Sequence, residues 1–194
     1  MAILIPNAIG LLIPKCGSQY ILTVLEKAEI PYKFIGASQI DSKSTIMHSD
    51  LNNTEVYDYF TFAFVRHPLS WYQSYWAYRM RMGWTDDVID EQCADDNFHK
   101  FMEKVIEYYP DGYISSYYER YVGTGDSTIS YVGRLERINE DLPIALSLCG
   151  NSIENDICVG ISKVNKRRWE AHYTRTLYKK IASMEESSIK RFGY

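Results

Sequence analysis

Several patterns that would announce a function are missing from this sequence. The four cysteines, Cys16, Cys93, Cys149 and Cys158, form no CxxC pair, and neither they nor the four scattered histidines have the spacing of a zinc site. There is no HExxH, which excludes a zinc-protease helix, and no GxxxxGK[ST], which excludes a Walker A loop. No apolar run approaches the roughly 18–20 residues of a membrane span, and the apolar start Met1-Ala-Ile-Leu-Ile-Pro6 lacks the basic flank of a signal peptide. A disulfide scaffold, a zinc domain and a membrane bundle are thereby set aside. The expectation is a cytoplasmic protein with reduced cysteines, no metal and no membrane partner.

A surplus of basic charge is missing as well. The 194 residues carry 21 Lys and Arg against 25 Asp and Glu, a net charge of −4, which argues against a general nucleic-acid binder. The 46% hydrophobic and 24% charged fractions are ordinary for a soluble globular protein. The length suits one domain over residues 1–194, large enough to fold without a metal or disulfide staple. The charges are unevenly spread. Residues 86–96 hold six acids and no base, whereas residues 163–194 hold nine bases and three acids. Such asymmetry fits either one localised anion site or solvated helix faces.

Hydrophobic periodicity gives an α/β order. Ile9–Ile13 predicts a buried strand, residues 18–28 a helix with Ile21, Leu22, Leu25 and Ala28 on one face, and residues 31–35 a second strand. Residues 38–45 read as a loop. Tyr59–Val65 is the strongest strand signal, apolar on both faces and suited to the centre of an α/β sheet. Pro68 stands where a helix would begin, and residues 98–121 predict helices broken at Pro110-Asp-Gly112. Residues 129–133 predict another strand, and Arg168–Phe192 a helical tail with Leu177, Ile181, Met184 and Ile189 as its stripe.

Two segments would carry chemistry. Pro14-Lys-Cys-Gly-Ser-Gln-Tyr20 lies between the first strand and the first helix, where backbone N–H groups at a helix start can converge on an anion. Gly17 permits close approach, Ser18 offers a hydroxyl and Lys15 a full charge; an ordinary βα turn with a solvated lysine is the alternative. The second is Phe64-Val-Arg-His-Pro-Leu-Ser-Trp-Tyr-Gln-Ser-Tyr75. Arg66 ends the best strand, where open α/β sheets bind ligands. Its forked guanidinium suits a phosphate, with the Ser74 hydroxyl completing the contact. Pairing of Arg66 with an acid is the alternative.

Together these segments resemble the PAPS-dependent sulfotransferases of the carbohydrate-acting branch, PAPS being 3′-phosphoadenosine 5′-phosphosulfate. Pro14-Lys15-Cys16-Gly17-Ser18 is similar to that family's 5′-phosphosulfate loop. Phe62-Ala-Phe-Val-Arg66, Pro68 and Ser74 match its 3′-phosphate segment in spacing. Met47-His48-Ser49, Tyr131-Val-Gly-Arg-Leu-Glu136, Tyr173-Thr174 and Phe192-Gly-Tyr194 follow in the family's order. Cys16 and Gln19 stand where the family usually has hydroxyls, Tyr20 where a small residue is common, and His67 where Asn or Asp is usual.

The resemblance implies a three-layer α/β sandwich with a central, mainly parallel sheet, the P-loop-NTPase-like sulfotransferase fold. It implies transfer of a sulfuryl group from PAPS to a hydroxyl acceptor, carbohydrate by expectation, with PAP released. Lys15 would neutralise charge on the bridging oxygen. Cys16, Gly17, Ser18, Gln19 and Tyr20 would line the 5′-phosphate, and Arg66 and Ser74 would hold the 3′-phosphate. His48 is the expected general base, histidine being suited to proton transfer near neutrality; the alternative is a histidine that orders its loop. Arg134 would approach the donor or form a structural salt bridge, and Lys166, Arg167 and Arg168 would close over the 3′-phosphate. Tyr113, Tyr117 and Tyr121 share a helical face, which would be either a platform for rings or core. A catalytically degenerate PAP-binding protein of the same fold is the second expectation, and a P-loop kinase is disfavoured by the missing Walker A glycines.

Overall fold

Pro6 and Asn7 turn the chain back between two short apolar runs, and that turn shapes the sheet. The computed structural model describes residues 1–35, 59–124, 129–154, 157–158 and 171–194. In it, β1 (Ala2–Ile5) and β2 (Ala8–Leu11) form a hairpin with Ile5 opposite Ala8. Asn7 has φ 61°, a left-handed conformation that asparagine tolerates better than most residues. A two-residue connection joins only antiparallel strands, so β1 runs against β2. β3 (Lys33–Ile35) pairs with β1, again antiparallel. β4 (Phe60–Val65) is parallel to β2, and β5 (Tyr131–Arg134) is parallel to β4. The sheet is therefore mixed, in the order β3-β1-β2-β4-β5. A mainly parallel sheet is the expectation, but among the described strands parallel pairing is confined to β2, β4 and β5, because β1, signalled in the sequence only by apolarity, runs against both its neighbours.

The described helices include α1 (Ser18–Lys27), α2 (Pro68–Met82), α3 (Val88–Cys93), α4 (Phe98–Tyr108), α5 (Tyr113–Val122), α6 (Ile138–Leu148), α7 (Arg175–Met184) and α8 (Glu186–Arg191). Among the described residues none is long and apolar enough to cross a membrane. The chain divides into two compact units, Met1–Arg66 with Tyr118–Val164 and His67–Tyr117 with Asn165–Tyr194.

The first unit holds the sheet. Ile21, Val24 and Leu25 of α1 and Leu142, Ala145 and Leu146 of α6 join Ile3, Ile5, Phe62 and Phe64 in one core cluster. α6 had no clear sequence signature, because Pro143 lies inside it. Register is set by size complementarity. Phe62 stands opposite Gly10 and Phe64 opposite Gly133. A Cβ on Gly10 would lie 2.6 Å from the tip of the Phe62 ring, and one on Gly133 would overlap the Phe64 ring. The two rings thus occupy space that side chains on the flanking strands would fill. On the other face Ile9, Leu11, Ala63 and Val65 are buried too, as the two-faced apolar pattern of β4 predicts.

The second unit is helical and aromatic. Trp71 and Tyr75 of α2 stack at 4.7 Å with their planes 10° apart. Arg79, on the same helix, is buried and bonds Asp90 and Asp87, each at 2.7 Å. Asp90 also accepts from the Tyr75 hydroxyl (2.8 Å) and from the Thr85 N–H and hydroxyl (3.0 and 2.9 Å). The acidic run 86–96 is therefore partly a folded ion-pair network and not a wholly solvated face. The predicted helical tail is split at Glu185, which ends α7 and is fully buried. Its carboxylate accepts from the Tyr72 hydroxyl, the Ser115 hydroxyl and the N–H groups of Ile114 and Ser115 at the start of α5. Gly112, at φ 94°, leaves room for it, since a Cβ there would lie 2.9 Å from Glu185 Oε2.

Gly133→Ala is expected to force the Phe64 ring off β5 and to cost about 1–3 kcal/mol. The shift in urea midpoint at constant m-value measures this; an unchanged midpoint would contradict the ring-on-glycine account of register.

Candidate functional site

The parallel strands β2, β4 and β5 deliver their C-terminal ends to one edge of the sheet, and the predicted cations are found there. β2 ends at Leu11 and leads through residues 12–17 into α1. β4 ends at Val65, directly before Arg66, and Arg134 is the last residue of β5, opposite Val65. Such an edge is where α/β sheets present loops to ligands.

The loop before α1 is tightly wound. Lys15 has φ 64° and Gly17 φ 97°, so the chain enters the left-handed region twice within three residues. For a lysine this costs about 1–2 kcal/mol, and strain of this kind persists only where surrounding contacts impose it. The Cys16 N–H and the Ser18 hydroxyl both donate to the Ile13 carbonyl, each at 3.2 Å, which closes the turn. Gly17 is required twice over: by its φ, and because a Cβ would stand 2.8 Å from Leu135 and 2.9 Å from Ile138. α1 then starts with no side-chain cap at Gly17 and no acid in its first turn. Its N-terminal N–H groups and dipole favour an anion.

Arg66 and the loop are joined. The Arg66 guanidinium donates through Nη1 to the Lys15 carbonyl at 3.3 Å. The fully buried Tyr118 hydroxyl donates to the Arg66 carbonyl at 2.7 Å and accepts from the Arg66 N–H at 3.1 Å. Cys16 Sγ lies 3.6 Å from the same hydroxyl. A phenol has one proton, here given to the Arg66 carbonyl, so the thiol is the donor in that contact. Burial pushes the Cys16 thiol up to about 12, against the lowering influence of Tyr118, Arg66 and Lys15. The thiol is therefore protonated near neutral pH and is no nucleophile.

The other predicted residues are distributed as follows. Gln19 is exposed on the first turn of α1. The Tyr20 hydroxyl is engaged by Asn139 Oδ1 at 2.7 Å and the Cys158 carbonyl at 2.9 Å, and burial raises its pKa above the ordinary phenol value. This fastens α1 to α6. Arg134 donates its backbone N–H to Asp141 at 2.8 Å, and Asp141 is nearly buried. Ser74 lies half-buried on α2, in the second unit. His48, Lys166, Arg167 and Arg168 lie outside the described residues. Of the three tyrosines on one face of α5, Tyr117 and Tyr121 are buried, and Tyr113 stacks on Tyr117 at 5.6 Å, so that face is largely core.

Two residues gain roles that the sequence alone did not assign. His67 caps α2: its Nδ1 accepts from the Leu69 N–H at 3.2 Å, which puts the ring proton on Nε2, and its ring meets Tyr194 at 5.1 Å. A neutral histidine thus does the capping work that asparagine or aspartate usually does. Tyr118 is the hydroxyl that ties Arg66 to the loop. The available signal was the stripe Ile114, Tyr118, Val122, spaced by four residues and wholly buried, in which Tyr118 brings the one polar side-chain atom.

No protein-family model, curated protein or solved structure matches the chain.

Lys15→Gly is expected to relieve the left-handed strain and raise stability by up to about 1 kcal/mol. Chemical denaturation reads this directly; a less stable glycine variant would show that the lysine side chain contributes more to the fold than its backbone conformation costs.

Proposed function

We propose that this chain is a PAPS-dependent sulfotransferase acting on a hydroxyl acceptor, carbohydrate in class. The observation that carries the reading is the 3.3 Å bond from Arg66 to the Lys15 carbonyl. It brings together two segments, 51 residues apart in sequence, that each resemble one half of a donor-binding site. The parallel trio β2-β4-β5, with α1 following β2, is consistent with the three-layer sulfotransferase fold.

The donor supplies a sulfuryl group attached to a phosphate oxygen. In this reading the Gly17–Ser18 backbone at the start of α1 holds the 5′-phosphate, and the Lys15 ammonium neutralises charge developing on the bridging oxygen. Arg66 grips the 3′-phosphate and so separates this donor from ATP-like nucleotides. The chemistry is positioning and charge stabilisation, as in phosphoryl transfer. Cys16 takes no covalent part, because its thiol stays protonated.

A second reading, a PAP-binding protein without turnover, is favoured by one feature. The Cys16 thiol and the Ser18 hydroxyl, which stand on the loop where hydroxyls would meet the sulfuryl group, are bonded inward to Tyr118 and to the Ile13 carbonyl. Single-turnover transfer separates the two readings.

Arg66→Ala is expected to weaken PAP binding by about 1.5–3 kcal/mol, or roughly 10- to 150-fold in Kd. Lys15→Ala is expected to slow single-turnover transfer far more than it weakens PAP. Calorimetric titration and quenched transfer from labelled PAPS measure the two effects. PAP binding by Arg66→Ala as tight as wild type would refute the 3′-phosphate assignment.

A further inference from the structure

We propose that Tyr118 is a positioning residue that sets the site's selectivity for nucleotides bearing a 3′-phosphate. The proposal rests on the reading of Arg66 as the grip on that phosphate and assigns the control of that grip to a single buried hydroxyl.

The β4–β5 ladder ends with Val65 opposite Arg134, so the N–H and C=O of Arg66 lie beyond it and need other partners. Both go to one atom: the Tyr118 hydroxyl accepts from the N–H at 3.1 Å and donates to the C=O at 2.7 Å. Tyr118 therefore holds the Arg66 peptide in place where strand pairing has stopped. The remaining lone pair of that hydroxyl receives the Cys16 thiol at 3.6 Å. Arg66 closes the circuit through the Lys15 carbonyl at 3.3 Å. The contacts thus form a ring, from Cys16 to Tyr118 to Arg66 to Lys15 and back along the chain to Cys16. The ring fixes the distance between the loop that would hold a 5′-phosphate and the guanidinium that would hold a 3′-phosphate. A 3′,5′-bisphosphorylated nucleotide carries its two phosphates on one ribose, within a narrow range of separations, so a held spacing favours it over a monophosphate.

Removing the hydroxyl opens the ring at Arg66, while the turn from Ile13 to Ser18 keeps its own hydrogen bonds. The loss should fall on the 3′-phosphate contact and spare the 5′-phosphate contact. The test is the ratio of Kd for AMP to Kd for PAP, measured by calorimetry on the full chain and on Tyr118→Phe. The expected result is a ratio reduced by about tenfold in the variant, with the Kd for AMP unchanged within twofold. An unchanged ratio would overturn the proposal, and so would equal weakening of both nucleotides, which marks a merely structural role. If Tyr118→Phe does not fold, Tyr118→Met, flexible and without a hydroxyl, takes its place under the same criteria. Failure of the underlying reading looks different: the wild-type chain would then bind AMP and PAP equally, and the proposal would fall with it.

Discussion

Phe62 and Phe64 lie across Gly10 and Gly133, and everything proposed for the site depends on the register those contacts fix. A slip of one residue in a strand turns every side chain to the other face. With the rings seated on the glycines, Leu11 stands opposite Ala63 and Val65 opposite Arg134. The loop after β2 and the first residue after β4 therefore emerge side by side, close enough for the Arg66 guanidinium to reach the Lys15 carbonyl. The aromatic strand thus supplies core volume and, through its register, the approach of the Arg66 guanidinium to the Lys15 backbone.

Around that contact the chain uses unusual substitutes. A buried thiol takes the place of a loop hydroxyl, and its third-row atom reaches the Tyr118 oxygen at 3.6 Å while remaining uncharged. A neutral histidine replaces asparagine or aspartate as the cap of α2. Tyr20, large where a small residue is common, directs its hydroxyl to Asn139 and the Cys158 carbonyl, so its bulk is used to attach α1 to α6. Three of the four departures from the resembled pattern, Cys16, Tyr20 and His67, have a local structural partner, whereas Gln19 is exposed on α1.

Much of this was legible in the sequence where periodicity or a special residue spoke clearly. The doubly apolar run Tyr59–Val65 gave β4, Pro68 gave the start of α2, and Pro110-Asp-Gly112 gave the break between α4 and α5. The motif positions Lys15 and Arg66 were readable because charged residues next to a strand end stand out. What escaped depended on long-range partners. β1 exists as a strand because a two-residue turn folds it onto β2, and α6 tolerates Pro143 because its apolar face is packed. Glu185 is buried because α5 offers two N–H groups and two hydroxyls converge on it; no local pattern places an acid inside. Tyr118 was hidden among neighbouring tyrosines, since spacing alone does not say which ring carries a hydroxyl to a strand end.

The central claim is that the edge formed by Lys15, Gly17, Ser18 and Arg66 binds a sulfuryl donor and turns it over. The most direct measurement is a single-turnover incubation of the purified chain with sulfur-labelled PAPS and a mixed panel of glycans, phenols and peptides, following label in product and release of PAP. The account predicts label on a carbohydrate hydroxyl with PAP released in equal amount. Tight PAP binding with no label on any acceptor would contradict turnover and leave only a binding protein, and PAPS bound no better than AMP would contradict the account altogether.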